Sequence, residues 1–133
     1  MPDCVDCRAA GITTNRPLAD GRRCATHARE RKKAAKLTAH ARRVEKTYGL
    51  SGDAYWALYE SQGGRCYICQ RANGKTKRLA VDHDHVSGRV RSLLCSSCNR
   101  GVLGHLRDDV SALRRAIEVI EKHPAQAVLI GLD

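Results

Sequence analysis

The sequence predicts an α+β fold organised by zinc. A small N-terminal zinc ribbon comes first, then a basic helix, then a β-hairpin stapled by a second zinc and followed by a short helix. Three observations predict it. Two Cys-x-x-Cys pairs, Cys66/Cys69 and Cys95/Cys98, stand 25 residues apart. Close pairs of this kind, brought together across a loop, hold tetrahedral zinc, and the spacer suffices for two short strands and a turn. Cys4, Cys7 and Cys24 join His27 as a second set of four soft ligands. Together the two sets use all seven cysteines, an odd number that disulfides fit poorly. Finally, the run Val81-Asp82-His83-Asp84-His85 lies between the hairpin's two pairs, and Asn99 directly follows the last cysteine.

At 133 residues the chain is one compact unit or a small domain with an appendage, and a core this small gains from metal staples. The formal charge of +10 points to a polyanion, with nucleic acid the default partner. Phe is absent, and one Trp with four Tyr are the only aromatics. That argues against the stacking platform of a typical single-strand binder. A lipid surface is disfavoured by the lack of a lipidation motif or basic amphipathic-plus-aromatic helix. No charged-then-apolar leader or long apolar run is present, so neither export nor a membrane span is expected. Zinc-holding thiols call for a reducing, cytoplasmic compartment.

Residues 1–27 form the ribbon. Cys4-Val5-Asp6-Cys7 and Cys24-Ala25-Thr26-His27 flank 16 residues containing Gly11, Asn15, Pro17 and Asp20-Gly21, all turn formers. Four protein ligands close this site, so it is structural; Arg16, Arg22 and Arg23 would add DNA contacts. Residues 28–49 read as a linker helix ended by Gly49, with Ala34, Leu37, Ala41, Val44 and Tyr48 on one stripe. Lys32, Lys36, Arg42 and Arg43 lead a lopsided basic excess on its other faces. A solvated face competes with phosphate contact as its explanation.

Residues 50–123 form the third module. Ser51 caps a helix whose buried side is Tyr55, Trp56, Leu58 and Tyr59, stopped by Gly63-Gly64. Asn73-Gly74 signals a turn, with Lys75, Lys77 and Arg78 around a tip that could touch backbone phosphates. Leu79-Ala80-Val81 leads into the Asp/His run, Ser87-Gly88 marks the return, and Arg89 to Leu94 leads back to Cys95. A short helix should run from Asn99 to about Gly104. Asp108 can cap a last helix carrying Ala112, Leu113, Ala116, Ile117 and Ile120 on one face, closed by Pro124. The apolar tail, 124–133, either packs back on the core or offers an interface for a second copy or another partner.

The zinc staple brings a carboxylate (Asp82), an imidazole (His83) and an amide (Asn99) together, and these are the parts of a metal-assisted phosphodiester hydrolase. Asp82 and the Asn99 side-chain oxygen are hard donors suited to one Mg²⁺ or Mn²⁺ that keeps several waters. Holding it with a single negative charge leaves it strongly electrophilic. Imidazole titrates near neutrality, so His83 is the candidate general base. The Cys66/Cys69/Cys95/Cys98 site is structural, since four thiolates leave no open position. A third zinc held by His83 and His85 with Asp82 and Asp84 is the competing reading. Alternation in the strand turns Asp84 away from the site into a structural role.

These motifs, from Gly63-Gly64-Arg65-Cys66-Tyr67-Ile68-Cys69 through Val81-Asp82-His83-Asp84-His85 to Gly88-Arg89-Val90-Arg91-Ser92-Leu93-Leu94-Cys95, Cys98-Asn99 and Leu103-Gly104, resemble the recombination endonuclease VII group of the His-Asn-His (HNH) nucleases. The resemblance spans about residues 50 to 121 and implies a ββα-metal nuclease module acting on double-stranded or branched DNA. It implies that Asp82 and Asn99 are the catalytic-metal ligands and His83 the general base. It gives His85 a role in phosphate contact or transition-state stabilisation. Arg91 is expected on a phosphate, with Arg89 and Arg100 on the DNA backbone beside it. Two structural Zn²⁺ and one catalytic Mg²⁺ or Mn²⁺ are the implied cofactors.

The chain departs from the family pattern at Ser92, where Gly is usual. It departs again at Val102, where the group's junction resolvase carries an acidic residue; His105 is the nearest polar substitute. That resolvase also continues into a long helical dimerisation region. Three functions follow in order: a nicking or double-strand-cutting endonuclease, a dimeric Holliday-junction resolvase, and a non-catalytic zinc-containing DNA-binding protein on a nuclease scaffold.

Overall fold

The computed structural model describes residues 3–13 and 16–132; Asn15, one of the expected turn formers, lies outside them. The fold is α+β: helices around one small antiparallel sheet, with two Cys/His clusters. The chain divides into two compact units, Met1–Tyr55 and Trp56–Asp133.

In the first unit, helix α1 (Val5–Ala9) opens inside the first Cys-x-x-Cys, and the described residues from there to Cys24 are turn and loop, in keeping with a loop-rich ribbon. An antiparallel bridge pairs Leu18 with Cys24. The turn between them closes on Asp20, whose Oδ1 accepts from the amides of Arg22 at 3.0 Å and Arg23 at 2.6 Å. Arg23 is engaged inside the unit, 2.7 Å from Asp6.

Helix α2 (Ala25–Tyr48) starts directly after Cys24 and stops at Gly49, which takes the left-handed conformation with φ 66°. Only the C-terminal end of its expected apolar stripe is covered. Val44 is buried and Ala41 and Tyr48 half-buried, whereas Ala34 and Leu37 are exposed. A helix of 24 residues is about 36 Å long, more than its partners in this unit can cover. The second buried side chain of α2 is His40, whose ring meets Tyr55 edge-on at 4.7 Å. His40 sits four residues before Val44, at helical spacing, but its polar type hid it from a stripe read by hydrophobicity. Helix α3 (Gly52–Ser61) is capped as expected, with the Ala54 amide donating to Ser51 Oγ at 3.1 Å.

In the second unit, strands β1 (Ala80–His83) and β2 (Val90–Leu94) pair antiparallel. Leu79, Val81, Leu93 and Leu94 are buried together with Cys66 and Cys98, so metal-ligand thiols form much of this thin core. The outer edge of β2 is closed by a side chain. The Gln62 amide accepts from the Leu93 N–H at 2.8 Å and donates to the Leu93 carbonyl at 2.9 Å, as a neighbouring strand would. Trp56, expected on the buried side of α3, is 38% exposed; it meets Tyr59 edge-on and carries the Arg78 guanidinium 5.2 Å above its ring.

The Asn73-Gly74 turn forms. Gly74 has φ 69°, and a Cβ there would lie 3.1 Å from Leu79 Cγ. From Ser97 the chain forms a π-helical turn, Ser97–Gly104, that includes Cys98, with i→i+5 bonds from the His105 amide to Arg100 at 2.9 Å and, just beyond it, from the Asp108 amide to Leu103 at 3.0 Å. Helix α4 (Val110–Lys122) is capped by Asp109, not Asp108. Asp109 Oδ1 accepts from the amides of Ser111 and Ala112. The wider π turn brings the chain into the helix one residue later than the sequence suggested. Helix α5 (Ala125–Leu129) and the turn Ile130–Leu132 follow Pro124. The tail does not pack back: Val128, Leu129, Ile130 and Leu132 are exposed, as are Ile117 and Ile120 of α4. Among the described residues, no helix is long and apolar enough to cross a membrane.

Candidate active site and metal centres

Each Cys-x-x-Cys is shaped by its own backbone. In the knuckle at Cys66, the Gln70 amide returns to the Cys66 carbonyl and the Cys66 amide reaches Ala72, turning both sulfurs inward. In the knuckle at Cys95, the thiols flank the start of the π turn, and the Asn99 amide bonds to the Cys95 carbonyl at 2.9 Å. Asn99 is therefore positioned by the residues that position Cys98.

The ligand atoms of Cys4, Cys7, Cys24 and His27 lie within 4.8 Å of one another, and so do those of Cys66, Cys69, Cys95 and Cys98. His27 Nδ1 is 3.3 Å from the sulfurs of Cys4 and Cys7 and 3.4 Å from that of Cys24. The Cys7–Cys24 and Cys69–Cys95 sulfur separations are both 3.9 Å. A tetrahedron with zinc–sulfur bonds of about 2.3 Å has edges of about 3.8 Å, so these are the spacings of zinc ligands. Both clusters are compatible with structural zinc.

The thiols are electrostatically divided. Burial pushes Cys7 up to about 11 and Cys98 up to about 12. Backbone amides of Ala72 and Arg71 hold Cys69 down at about 6. Cys4 also lies at about 6, where amides led by that of Cys24 outweigh the opposing effect of burial. His27 is raised by the Cys4 sulfur. Only around a cation can all the clustered thiols be anionic and the imidazole neutral, so metal binding must release protons.

Asp82, His85 and Asn99 come together on one open cavity of about 360 Å³, shared with Arg91, Leu103, Gly104, Arg107 and Asp108. Asp82 arrives on β1 with 4% exposure. His83 is half-buried and is not in this lining; its ring centroid is 4.9 Å from that of His85, so the imidazoles form a pair beside the cavity. Asp84 turns back on its own loop, accepting from the amides of Val86 and Ser87 at 2.9 and 2.7 Å. The Ser87 amide, followed by that of Val86, holds its carboxyl below the usual range. Among the described residues, Asp82, His83, Asp84 and His85 do not form a cluster of metal-ligand geometry, and the third-zinc reading loses its support. Asp82 and Asn99 supply hard oxygens on a cavity with room for water. That donor set fits a magnesium-like ion.

The DNA-contact candidates fall into three places. Lys32, Lys36, Arg42 and Arg43 are exposed on α2. Lys75 and Lys77 are exposed at the loop tip, and a second, smaller cleft of about 220 Å³ is lined by Lys77, Arg78, Asn73 and Ser96. Arg89 and Arg100 are exposed on β2's approach and the π turn. Arg91 is also exposed, but its guanidinium is engaged by carboxylates of the protein itself. It donates to both oxygens of Asp82, Nε to Oδ2 and Nη2 to Oδ1, each at 2.8 Å, and from Nη2 to Asp108 at 3.3 Å.

Sequence reasoning missed Asp108 and Arg107 as cavity residues. The signal was weak: Asp108-Asp109 offers two equivalent caps, and only the π turn decides between them. Val102 leaves no carboxylate three residues after Asn99, and Asp108 brings one to the same cavity.

The recombination endonuclease VII family pattern matches residues 41–122. The chain is 54% identical over 127 residues to the Gene 59 protein of Mycobacterium phage D29, and 53% identical over the same length to the Gene 59 protein of Mycobacterium phage L5. Each alignment covers 95% of this chain and 77% of the relative. No solved structure gives a significant match. With the family pattern covering more than half of the chain, and the site assembled within that span, the chain belongs to the recombination endonuclease VII family.

Proposed function

We propose that the chain is a divalent-metal-dependent DNA endonuclease of the HNH, ββα-metal type. The observation that carries this reading is the convergence of Asp82, His85 and Asn99 on one open cavity. Asp82 and Asn99 would hold one Mg²⁺ or Mn²⁺, which when bound supplies Lewis-acid stabilisation of the phosphate and the leaving oxygen. His83 accepts the proton of the attacking water at a ring nitrogen. The resulting hydroxide forms a bond to phosphorus, the bond to the 3′ oxygen breaks, and that oxygen takes a proton from solvent. Products carry a 5′-phosphate and a 3′-hydroxyl. His85, the neighbour of His83 at 4.9 Å, contacts the phosphate. Arg89, Arg91 and Arg100 hold the scissile strand. Lys32, Lys36, Arg42 and Arg43, with Lys75, Lys77 and Arg78 at the tip, hold flanking backbone. In this reading 1–27 is a zinc-stapled cap, 28–49 a DNA-gripping helix, 50–123 the nuclease and 124–133 an interface.

The test is cleavage of supercoiled plasmid with Mg²⁺ or Mn²⁺. Wild type should nick or cut, and His83→Ala should lose about 10²–10⁴-fold in rate. An unchanged rate in His83→Ala with loss in His85→Ala would exchange the two roles. Salt-sensitive DNA binding by folded, zinc-loaded protein without any cleavage would support a non-catalytic DNA-binding protein instead.

The uncovered apolar residues of α4 and the tail favour one further reading, a dimer that cuts four-way junctions symmetrically. Preference for an intact junction over linear duplex, together with a dimer in sedimentation, is its expected result. The thiolate clusters suit a reducing, cytoplasmic compartment.

A further inference from the structure

The position of Arg91 depends on an irregularity in the hairpin. Asp82 pairs with Ser92 and His83 with Val90, so Arg91 is an extra residue with no strand partner of its own. In an unbroken ladder Arg91 would oppose His83 and share its face, away from Asp82. The bulge re-aims it, and the guanidinium forms a two-pronged pair with a carboxylate that is 4% exposed. A carboxylate so buried would be costly without that partner.

The second carboxylate on Arg91 is placed just as deliberately. Arg107 and Asp108 both adopt the left-handed conformation, with φ 54° and 56°, which residues with a side chain seldom take. Asp109 caps α4, so Asp108 is not spent on the helix. Its carboxylate instead faces the cavity and meets Nη2 of Arg91. The charged lining consists of Asp82 and Asp108 against Arg91 and Arg107, balanced before any ion arrives.

We propose that Arg91 is the resident cation of the metal carboxylate, displaced from Asp82 when a divalent ion binds, and that Asp108 is the seat that receives it. The inference rests on the reading of Asp82 as a metal ligand. A guanidinium and a dication compete for the same carboxylate oxygens and repel each other. Arg91, once off Asp82 and still tethered to Asp108, has its planar N–H edge available to a phosphate at the same cavity. One residue thus neutralises Asp82 in the metal-free protein and binds the DNA backbone in the loaded one. The added positive charge makes metal and phosphate binding mutually reinforcing.

The experiment is calorimetric titration of Mn²⁺ into the zinc-loaded full chain, with no cleavage assay involved. Arg91→Gln should bind Mn²⁺ about tenfold more tightly than wild type, because the competing charge is gone. Arg91→Lys should fall between them, and Asp108→Asn should bind several-fold more weakly. Unchanged or weaker Mn²⁺ binding in Arg91→Gln overturns the displacement, and unchanged binding in Asp108→Asn overturns the seat. A merely structural ion pair would lower the melting temperature of both variants without these opposite changes. If Arg91→Gln is too unstable to titrate, Mn²⁺ should raise its melting temperature more than wild type's, and an equal rise overturns the proposal. Mn²⁺ binding that survives Asp82→Asn would instead remove the metal-site reading beneath it.

Discussion

Asp108 and Asp109 are adjacent carboxylates with different jobs. Asp109 accepts from two orphan amides at the start of α4, while Asp108 meets a guanidinium at the cavity. Asp109→Ala should therefore cost about 1 kcal/mol of stability, with Mn²⁺ binding unaltered. Chemical denaturation and titration of the same variant check both halves. Gln62 makes a comparable point about what a sequence conceals. Its amide completes the hydrogen bonding of Leu93, a residue with no exposure. Gln62→Ala leaves the Leu93 N–H unpaired, while the Leu93 carbonyl keeps the Tyr67 amide at 3.2 Å, and a loss of about 1–3 kcal/mol is expected in urea unfolding. No sequence pattern marks such a glutamine, because its partner lies 31 residues away. His40 was obscured for a different reason: its helical spacing was visible, but its ring against Tyr55 was not.

Among the elements, the hairpin and the π turn act together. The hairpin was legible because paired cysteines, turn residues and alternation agree on it. The bulge was not, because it changes one pairing without changing composition; yet it directs Arg91 onto Asp82. The Cys66/Cys69/Cys95/Cys98 cluster, compatible with structural zinc, joins both elements, and its proton linkage has a definite sign. Cys69, and Cys4 in the other cluster, are held at about 6 against an ordinary thiol value of 9. A thiol held low contributes stability that is complete above its unfolded value, near pH 9, and is lost as pH falls through its folded value, about 6. Bound zinc lowers that value further. Loaded zinc should therefore stay bound at pH 7 and at pH 6 and be released only on further acidification, seen as metal capture by a chromophoric indicator. Loss of near-ultraviolet circular dichroism should accompany it. Chelation at neutral pH should unfold the same region, since thiols make up much of its core.

At the scale of the whole molecule, the charge of +10 and the exposed basic residues of α2 predict salt-sensitive DNA binding. Replacing Lys32, Lys36, Arg42 and Arg43 with Gln should flatten the log–log salt dependence by about 0.9 for each phosphate no longer neutralised. Fluorescence anisotropy across a salt series measures this, and an unchanged slope would return α2 to a solvated spacer. The apolar residues of α4 and the tail make self-association the companion measurement. The sequence alone determined the grouping of the cysteines and His27, the central hairpin and the family, because soft ligands, turn formers and motif residues signal locally and at fixed spacing. Only the tertiary structure decided what faces the cavity. Asp108, Arg107 and the Arg91–Asp82 pair depend on a bulge, a π turn and two left-handed residues, and each of these is a small backbone shift that leaves composition and residue spacing unchanged.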